Sequence, residues 1–145
     1  MNVLKFVTKN ATYHSSMTYD ENRKSFNLKP YSKTHTGIYF ILNDQDILKI
    51  GKADGKQGLK GRISTYRTRL VSNYKKGDPT VILWHKVMME ELSNKILSMY
   101  LLPLEPKKII YKGIEVEAMI ARSLEYKLSE LAKRQNHSMK LSGQN

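Results

Sequence analysis

The sequence predicts an α+β domain, and three patterns carry that expectation. Residues 36–51 place two apolar runs, Thr36-Gly37-Ile38-Tyr39-Phe40-Ile41 and Leu48-Lys49-Ile50-Gly51-Lys52, around a polar turn, Asn43-Asp44-Gln45. This predicts a β-hairpin with a three-residue loop. Leu59, Ile63, Tyr66 and Leu70 recur at +4, +7 and +11, which is one face of a helix. A later stripe of Ile114, Ile120, Ala121, Leu124, Leu128 and Leu131 predicts a second helix over residues 114–133.

The other elements follow along the chain. Residues 1–35 are mostly polar and read as an extension packed on the domain, with one short strand or helix at Val3-Leu4-Phe6-Val7. Asp54-Gly55-Lys56-Gln57-Gly58 is a loop. The first helix runs from Leu59 to about Tyr74, and Gly77-Asp78-Pro79 ends that unit. Thr80-Val81-Ile82-Leu83-Trp84 reads as a buried strand, because it is apolar and starts with β-branched residues. Glu90 to Tyr100 reads as a helix with Leu92, Ile96 and Met99 on one face, broken by Pro103 and Pro106. Lys108-Ile109-Ile110-Tyr111 is a short strand candidate. The main domain is expected to span residues 36–134, and residues 135–145 are expected to form a flexible tail.

Charge narrows the partners. Lys and Arg number 25 against 13 Asp and Glu, a net charge of +12 in 145 residues. An excess of this size points to a polyanion. No apolar run approaches the ~20 residues that span a bilayer, and the basic residues are dispersed, so a membrane partner is not expected. The start of the chain does not read as a signal peptide, and a cytoplasmic location is the expectation. With no cysteine, disulfides and thiolate metal sites are excluded. His14, His35, His85 and His137 are scattered, without metal-ligand spacing.

Three groups of residues carry candidate chemistry. A hairpin centred on Asp44 pairs Phe40 with Leu48, Ile38 with Ile50 and Tyr39 with Lys49. Opposed side chains lie within ~5 Å, and an ammonium there favours the phenolate. Arg62 and Tyr66, four apart, share a helix face, and Arg69 continues it. The pair suits a phosphate; a solvated basic face is the plainer reading. Glu117 projects into the apolar stripe of the late helix, where an unpartnered carboxylate is costly. It is either an internal salt bridge or a divalent-metal ligand, magnesium or manganese given oxygen donors. His85 reads as structural, and Trp84 as core.

Taken in order, Gly37-Ile38-Tyr39, then Lys49-Ile50-Gly51-Lys52, then Arg62 and Tyr66, then a glutamate on a late helix, these motifs resemble the GIY-YIG nuclease family. The match is close over residues 36–70 and looser near 113–133, and is nearest to small phage and restriction nucleases. The resemblance implies a central three-stranded sheet flanked by helices and metal-dependent hydrolysis of a phosphodiester in double-stranded DNA. It implies Tyr39 as general base, Arg62 as the stabiliser of transition-state charge and Tyr66 as the positioner of phosphate or water. It also implies Glu117 as the ligand of Mg2+ or Mn2+. The family's second motif usually begins with tyrosine; here Lys49 stands there, as in some restriction-type members. Lys52, Lys60, Arg67 and Arg69 are candidate nucleic-acid contacts, phosphate rather than base readers. A single such site cuts one strand, so double-strand cleavage calls for a homodimer, a higher homo-oligomer or sequential nicking. A non-catalytic nucleic-acid-binding protein of this fold and a homing-type nuclease are the alternative readings.

Overall fold

In the computed structural model, which describes residues 1–118 and 120–142, a five-stranded antiparallel sheet is sandwiched between two helical layers. The strands are β1 (Thr12–Asp20), β2 (Ser25–Asn27), β3 (Gly37–Asn43), β4 (Asp46–Ala53) and β5 (Leu97–Pro103), in the order β2-β1-β5-β3-β4. The expected α+β class with a sheet flanked by helices is therefore present. The sheet is wider than three strands because residues 12–27, within the expected extension, add two.

Alternation along β3 divides the core. Ile38, Phe40 and Leu42 face a layer made by α1 (Val3–Asn10) and α5 (Ile120–Arg134). Tyr39 and Ile41 face the other layer. That layer contains α2 (Gly58–Ser64), a π-helical turn (Thr65–Arg69), α3 (Leu70–Lys75) and α4 (Pro79–Glu90). Leu59, Ile63, Tyr66 and Leu70 all point inward, as their spacing predicts. The π turn interrupts the helix where Thr65 Oγ1 and Thr68 Oγ1 donate back to Gly61 O and Ser64 O, at 3.0 and 2.9 Å. Such back-bonding perturbs the regular ladder.

The hairpin forms with a different register. Asn43 pairs with Asp46, so the loop is the two residues Asp44-Gln45, with Asp44 at φ 50°. A bulge at Leu48 then inserts one more residue, and Tyr39 pairs with Gly51 while Ile41 pairs with Lys49. Tyr39 is thus not opposite Lys49, contrary to the symmetric-turn expectation. The displacement is two residues, so Lys49 stays on the face of Tyr39, diagonal to it.

Three other expectations are corrected. Residues 80–84 belong to α4, not to a strand. Asp78 Oδ1 accepts from Thr80 N at 3.0 Å and Pro79 occupies the first turn, so the residues read as a terminator are an N-cap signal. Val81, Trp84, Val87 and Met88 bury one helical face. Residues 97–100, placed in a helix, belong to β5, where Leu97, Met99 and Leu101 alternate inward between β1 and β3. Residues 114–118 form a strand, β7 (Ile114–Ala118), paired with β6 (Lys107–Tyr111). The loop between them, Lys112-Gly113, has φ 51° and 84°, the positive pair of a tight hairpin turn. Glu117 is therefore an exposed strand residue, not an inward residue of a core helix.

The segment after Gln135, expected to fray, lies against the outer edge of β4 through residue 142. Met139 N and Leu141 N donate to Ile47 O and Leu48 O at 3.0 Å each, and Trp84 Nε1 donates to Leu141 O at 2.7 Å. Met139 and Leu141 are buried, which gives the edge an apolar cover. Residues 143–145 of the expected tail lie outside the described residues. Among the described residues no helix is long and apolar enough to cross a membrane.

Candidate active site

Glycines set the position of Tyr39. A Cβ on Gly51 would sit 2.2 Å from Tyr39 Cζ and 2.3 Å from its hydroxyl, so the phenol lies directly over the facing strand. A Cβ on Gly37 would meet Leu102 O at 2.6 Å and Leu59 Cδ1 at 2.9 Å, so its absence lets α2 approach the sheet. Leu59 N then donates to His35 O at 2.8 Å, anchoring the start of α2. The two glycines of the paired motifs thus have separate steric tasks.

The α2–π segment brings Tyr66 to meet that phenol. The two hydroxyls are 3.0 Å apart, and both side chains are buried. Tyr66 also stacks on Trp84, with centroids 5.1 Å apart and planes at 15°, and meets Phe26 edge-on at 5.8 Å. The bulge turns Lys49 onto the same face, and its ammonium lies 5.6 Å from the Trp84 ring centroid. Arg62 is exposed one turn before Tyr66, and its charge acts on Tyr39, Tyr66 and Lys49.

Burial dominates the acid–base character of this cluster. Desolvation pushes the Tyr39 phenol above its ordinary value of 10.0; the Tyr66 hydrogen bond and the Arg62 charge pull it down, and Glu125 raises it. Lys49 is not among those influences, so the expected phenolate stabilisation by a facing ammonium is replaced by stabilisation from Arg62 and Tyr66. Burial raises Tyr66 well above its ordinary value too. For Lys49, desolvation pulls the ammonium below its ordinary value, Glu125 raises it, and Arg62 lowers it further. At neutral pH Tyr39 is a phenol poised between a hydrogen-bonding neighbour and a guanidinium.

Arg62 and Arg69 line one groove with Lys60, Ser64, Thr65, Gly55 and Gly58. Lys60 and Arg69 are exposed along it. The groove offers cations, hydroxyls and glycine backbone, a surface suited to phosphates. Two other predicted basic contacts lie elsewhere. Lys52 pairs with Ile38 and so faces the α1–α5 side, where its Nζ donates to Asp54 Oδ2 at 3.1 Å. Arg67 is half-buried and its Nε donates to Leu28 O at 3.1 Å, tying down the segment after β2.

Glu117 lines a second cavity with Thr36, Asp54 and Arg122. Asp54 lies in the chain between Ala53 and Gly55, which line the basic groove. Among the described residues no three His, Cys, Asp or Glu side chains cluster as a ready metal cage. Glu117 and Asp54 offer oxygen donors only. That set fits an ion such as magnesium, which keeps several waters and takes one or two carboxylates plus substrate phosphate.

Asp54, Trp84 and Glu125 carry no motif in the sequence. Asp54 looks like a loop residue, Trp84 lies in the run that resembles a strand, and Glu125 is one acid on a mixed helix. The Nδ1 of His85, read from sequence as structural, is 2.6 Å from the Tyr19 hydroxyl. Burial, with nearby negative charges, pushes the Tyr19 phenol up to about 12.

No family model and no curated protein matches the chain. Among solved structures, it is similar to a mutant of bacteriophage T4 EndoII, with a TM-score of 0.59 and 17% identity over 94% of this chain and 96% of that one. It is also similar to restriction endonuclease HPY188I in complex with product DNA, with a TM-score of 0.56 and 16% identity over 91% of this chain and 79% of that one. At such identities the likeness is one of fold, and the chain shares the α+β architecture of these two structures.

Proposed function

We propose that this chain is a metal-dependent DNA endonuclease of the GIY-YIG type, in the manner of restriction and phage nucleases. The observation that carries the reading is the buried Tyr39–Tyr66 hydroxyl pair at 3.0 Å beside the exposed Arg62, on a fold shared with two endonucleases. A core does not need two phenols joined in this way next to an arginine-lined groove. The net charge of +12 and the structure of one fold neighbour with product DNA support double-stranded DNA as the partner.

The proposed roles draw support from position. Duplex phosphates enter the groove of Lys60, Arg62 and Arg69, where Arg62 neutralises charge that builds on the phosphoryl oxygens. Tyr39 Oη accepts the proton of the attacking water, and the Tyr66 hydroxyl and Arg62 favour its ionised form. Tyr66 holds Tyr39 in place through the shared hydrogen bond. Lys49 adds positive charge on the same face, diagonal to Tyr39. Glu117, with Asp54 across the cavity, would hold Mg2+ or Mn2+, which when bound polarises the phosphate and stabilises the leaving oxygen. Lys52 steadies Asp54 and adds positive charge beside it.

Supercoiled plasmid tests the metal assignment. The chain should nick or linearise it with magnesium or manganese and leave it intact in EDTA. Glu117→Ala should lose cleavage while keeping DNA affinity within about threefold, because the exposed carboxylate holds neither the fold nor a phosphate. Cleavage in excess EDTA, or full activity of Glu117→Ala, would remove Glu117 from the site.

A further inference from the structure

The ribbon β6–β7 stands apart from the five-stranded sheet: among the described residues its two strands pair only with each other. Its register puts Ile109 opposite Val116 and Tyr111 opposite Ile114, all on one face, while Lys108, Ile110, Glu115 and Glu117 occupy the other. The apolar face is open to solvent, with Ile109 54%, Tyr111 63%, Ile114 64% and Val116 40% exposed. The exposed parts of these four side chains amount to on the order of 400 Å², as large as the largest apolar patch of a typical monomer. An isolated two-stranded ribbon is marginal in water, and its apolar face calls for cover.

We propose that a second copy of this chain covers that face, the two ribbons meeting about a two-fold axis. The charge distribution selects this occupant. From Glu105 to Ala118 three lysines (Lys107, Lys108, Lys112) are balanced by three glutamates (Glu105, Glu115, Glu117), so the chain's whole excess of +12 lies elsewhere. Two strongly basic molecules repel over most of their surfaces, and the ribbon is the neutral place where they can approach. The same neutrality disfavours duplex DNA as its occupant, because DNA binding draws on clustered cations. An isologous contact needs a self-complementary patch, and an apolar centre with a rim of both signs supplies one. The patch is smaller than the ~800 Å² per partner of a standard stable interface, so the dimer forms reversibly and with concentration.

The contact has a consequence for the site. Glu117 projects from the opposite face of the same strand, so dimerisation steadies the strand that presents it. Association itself is independent of the proposed reaction and is measured without substrate.

Sedimentation of the full chain over a concentration series, in salt high enough to screen the net charge, reads the contact directly. Wild type should reach twice the 16.8 kDa chain mass. I109S/V116S should stay at the monomer mass with an unchanged circular-dichroism melt, because both side chains are exposed. Ile110→Ser, on the other face, should associate like wild type. The chain has no cysteine, so single cysteines give a second readout that does not depend on the double variant folding. At least one of I109C and V116C should form a disulfide-linked dimer under oxidant, while I82C, exposed on α4, should not. A wild-type monomer at every concentration, dimerisation of I109S/V116S, or equal cross-linking of I82C would overturn the proposal.

Discussion

Gly51 is the residue on which the Tyr39 geometry most depends. Its missing Cβ leaves the space that the phenol fills, and Tyr39 in turn reaches Tyr66. Gly51→Ala should therefore cost about 1–3 kcal/mol through overpacking and displace the phenol. A urea melt reads the first effect and plasmid cleavage the second; an alanine tolerated in both would mean that the ring has room to move. Lys49 makes the opposite exchange. Burial holds its ammonium below the ordinary 10.5, so the unfolded chain binds that proton more tightly than the folded one. Stability lost on this account is present at neutral pH and is recovered as pH rises through the folded value towards 10.5. Lys49→Met should raise the melting temperature at pH 7, flatten that alkaline recovery and slow cleavage. An unchanged rate would take Lys49 out of the reaction.

At the scale of elements, paired signals compete with single ones. In α4 the run Thr80-Val81-Ile82-Leu83-Trp84 has strand composition, but Asp78-Pro79 caps a helix and Val81, Trp84 and Val87 keep helical spacing. Asp78→Ala should cost about 0.5–2 kcal/mol, measured by chemical denaturation. A cost below that range would mean that Pro79 and packing alone fix the helix start. The same competition explains what was legible. Leu59, Ile63, Tyr66 and Leu70 gave the helix and its buried face correctly, because four inward residues at regular spacing outweigh the π turn. The identity of the hairpin and the face of Tyr39 were legible from alternation. Its register was not, because the bulge at Leu48 has no residue signature of its own. Glu117 reads from sequence as an inward helical residue because Lys112-Gly113, a tight turn, lies directly before an apolar stretch that continues into α5. Lys112 lacks the Asn or Asp that usually marks such a turn. The docking of residues 137–142 was hidden because its hydrogen bonds run to the backbone of β4 and to Trp84, partners distant in sequence.

For the whole molecule, charge and fold act on different things. The sheet and its two layers hold the phenol pair, while in the proposed function the dispersed basic residues govern the encounter with a polyanion. Binding to a short duplex should weaken steeply with salt, each neutralised phosphate adding about −0.9 to the slope of log K against log salt. Removing Arg69, exposed in the groove, should reduce the slope by about one. Removing Arg67 should chiefly lower stability, since its guanidinium is engaged with Leu28 O. A slope unchanged by Arg69→Ala would place the DNA on another surface.

The central claim is that Tyr39 takes the proton of the attacking water from within a buried phenol pair. Single-turnover cleavage of plasmid with magnesium, followed against pH for wild type and Tyr39→Phe, tests it most directly. Because burial holds the phenol above 10.0, the wild-type rate should climb with pH through neutrality without levelling off. Tyr39→Phe, which keeps the ring and removes only the hydroxyl, should lose roughly 10²–10⁴ in rate and the climb with it. A Tyr39→Phe enzyme that cuts at the wild-type rate with the same pH profile would contradict the account.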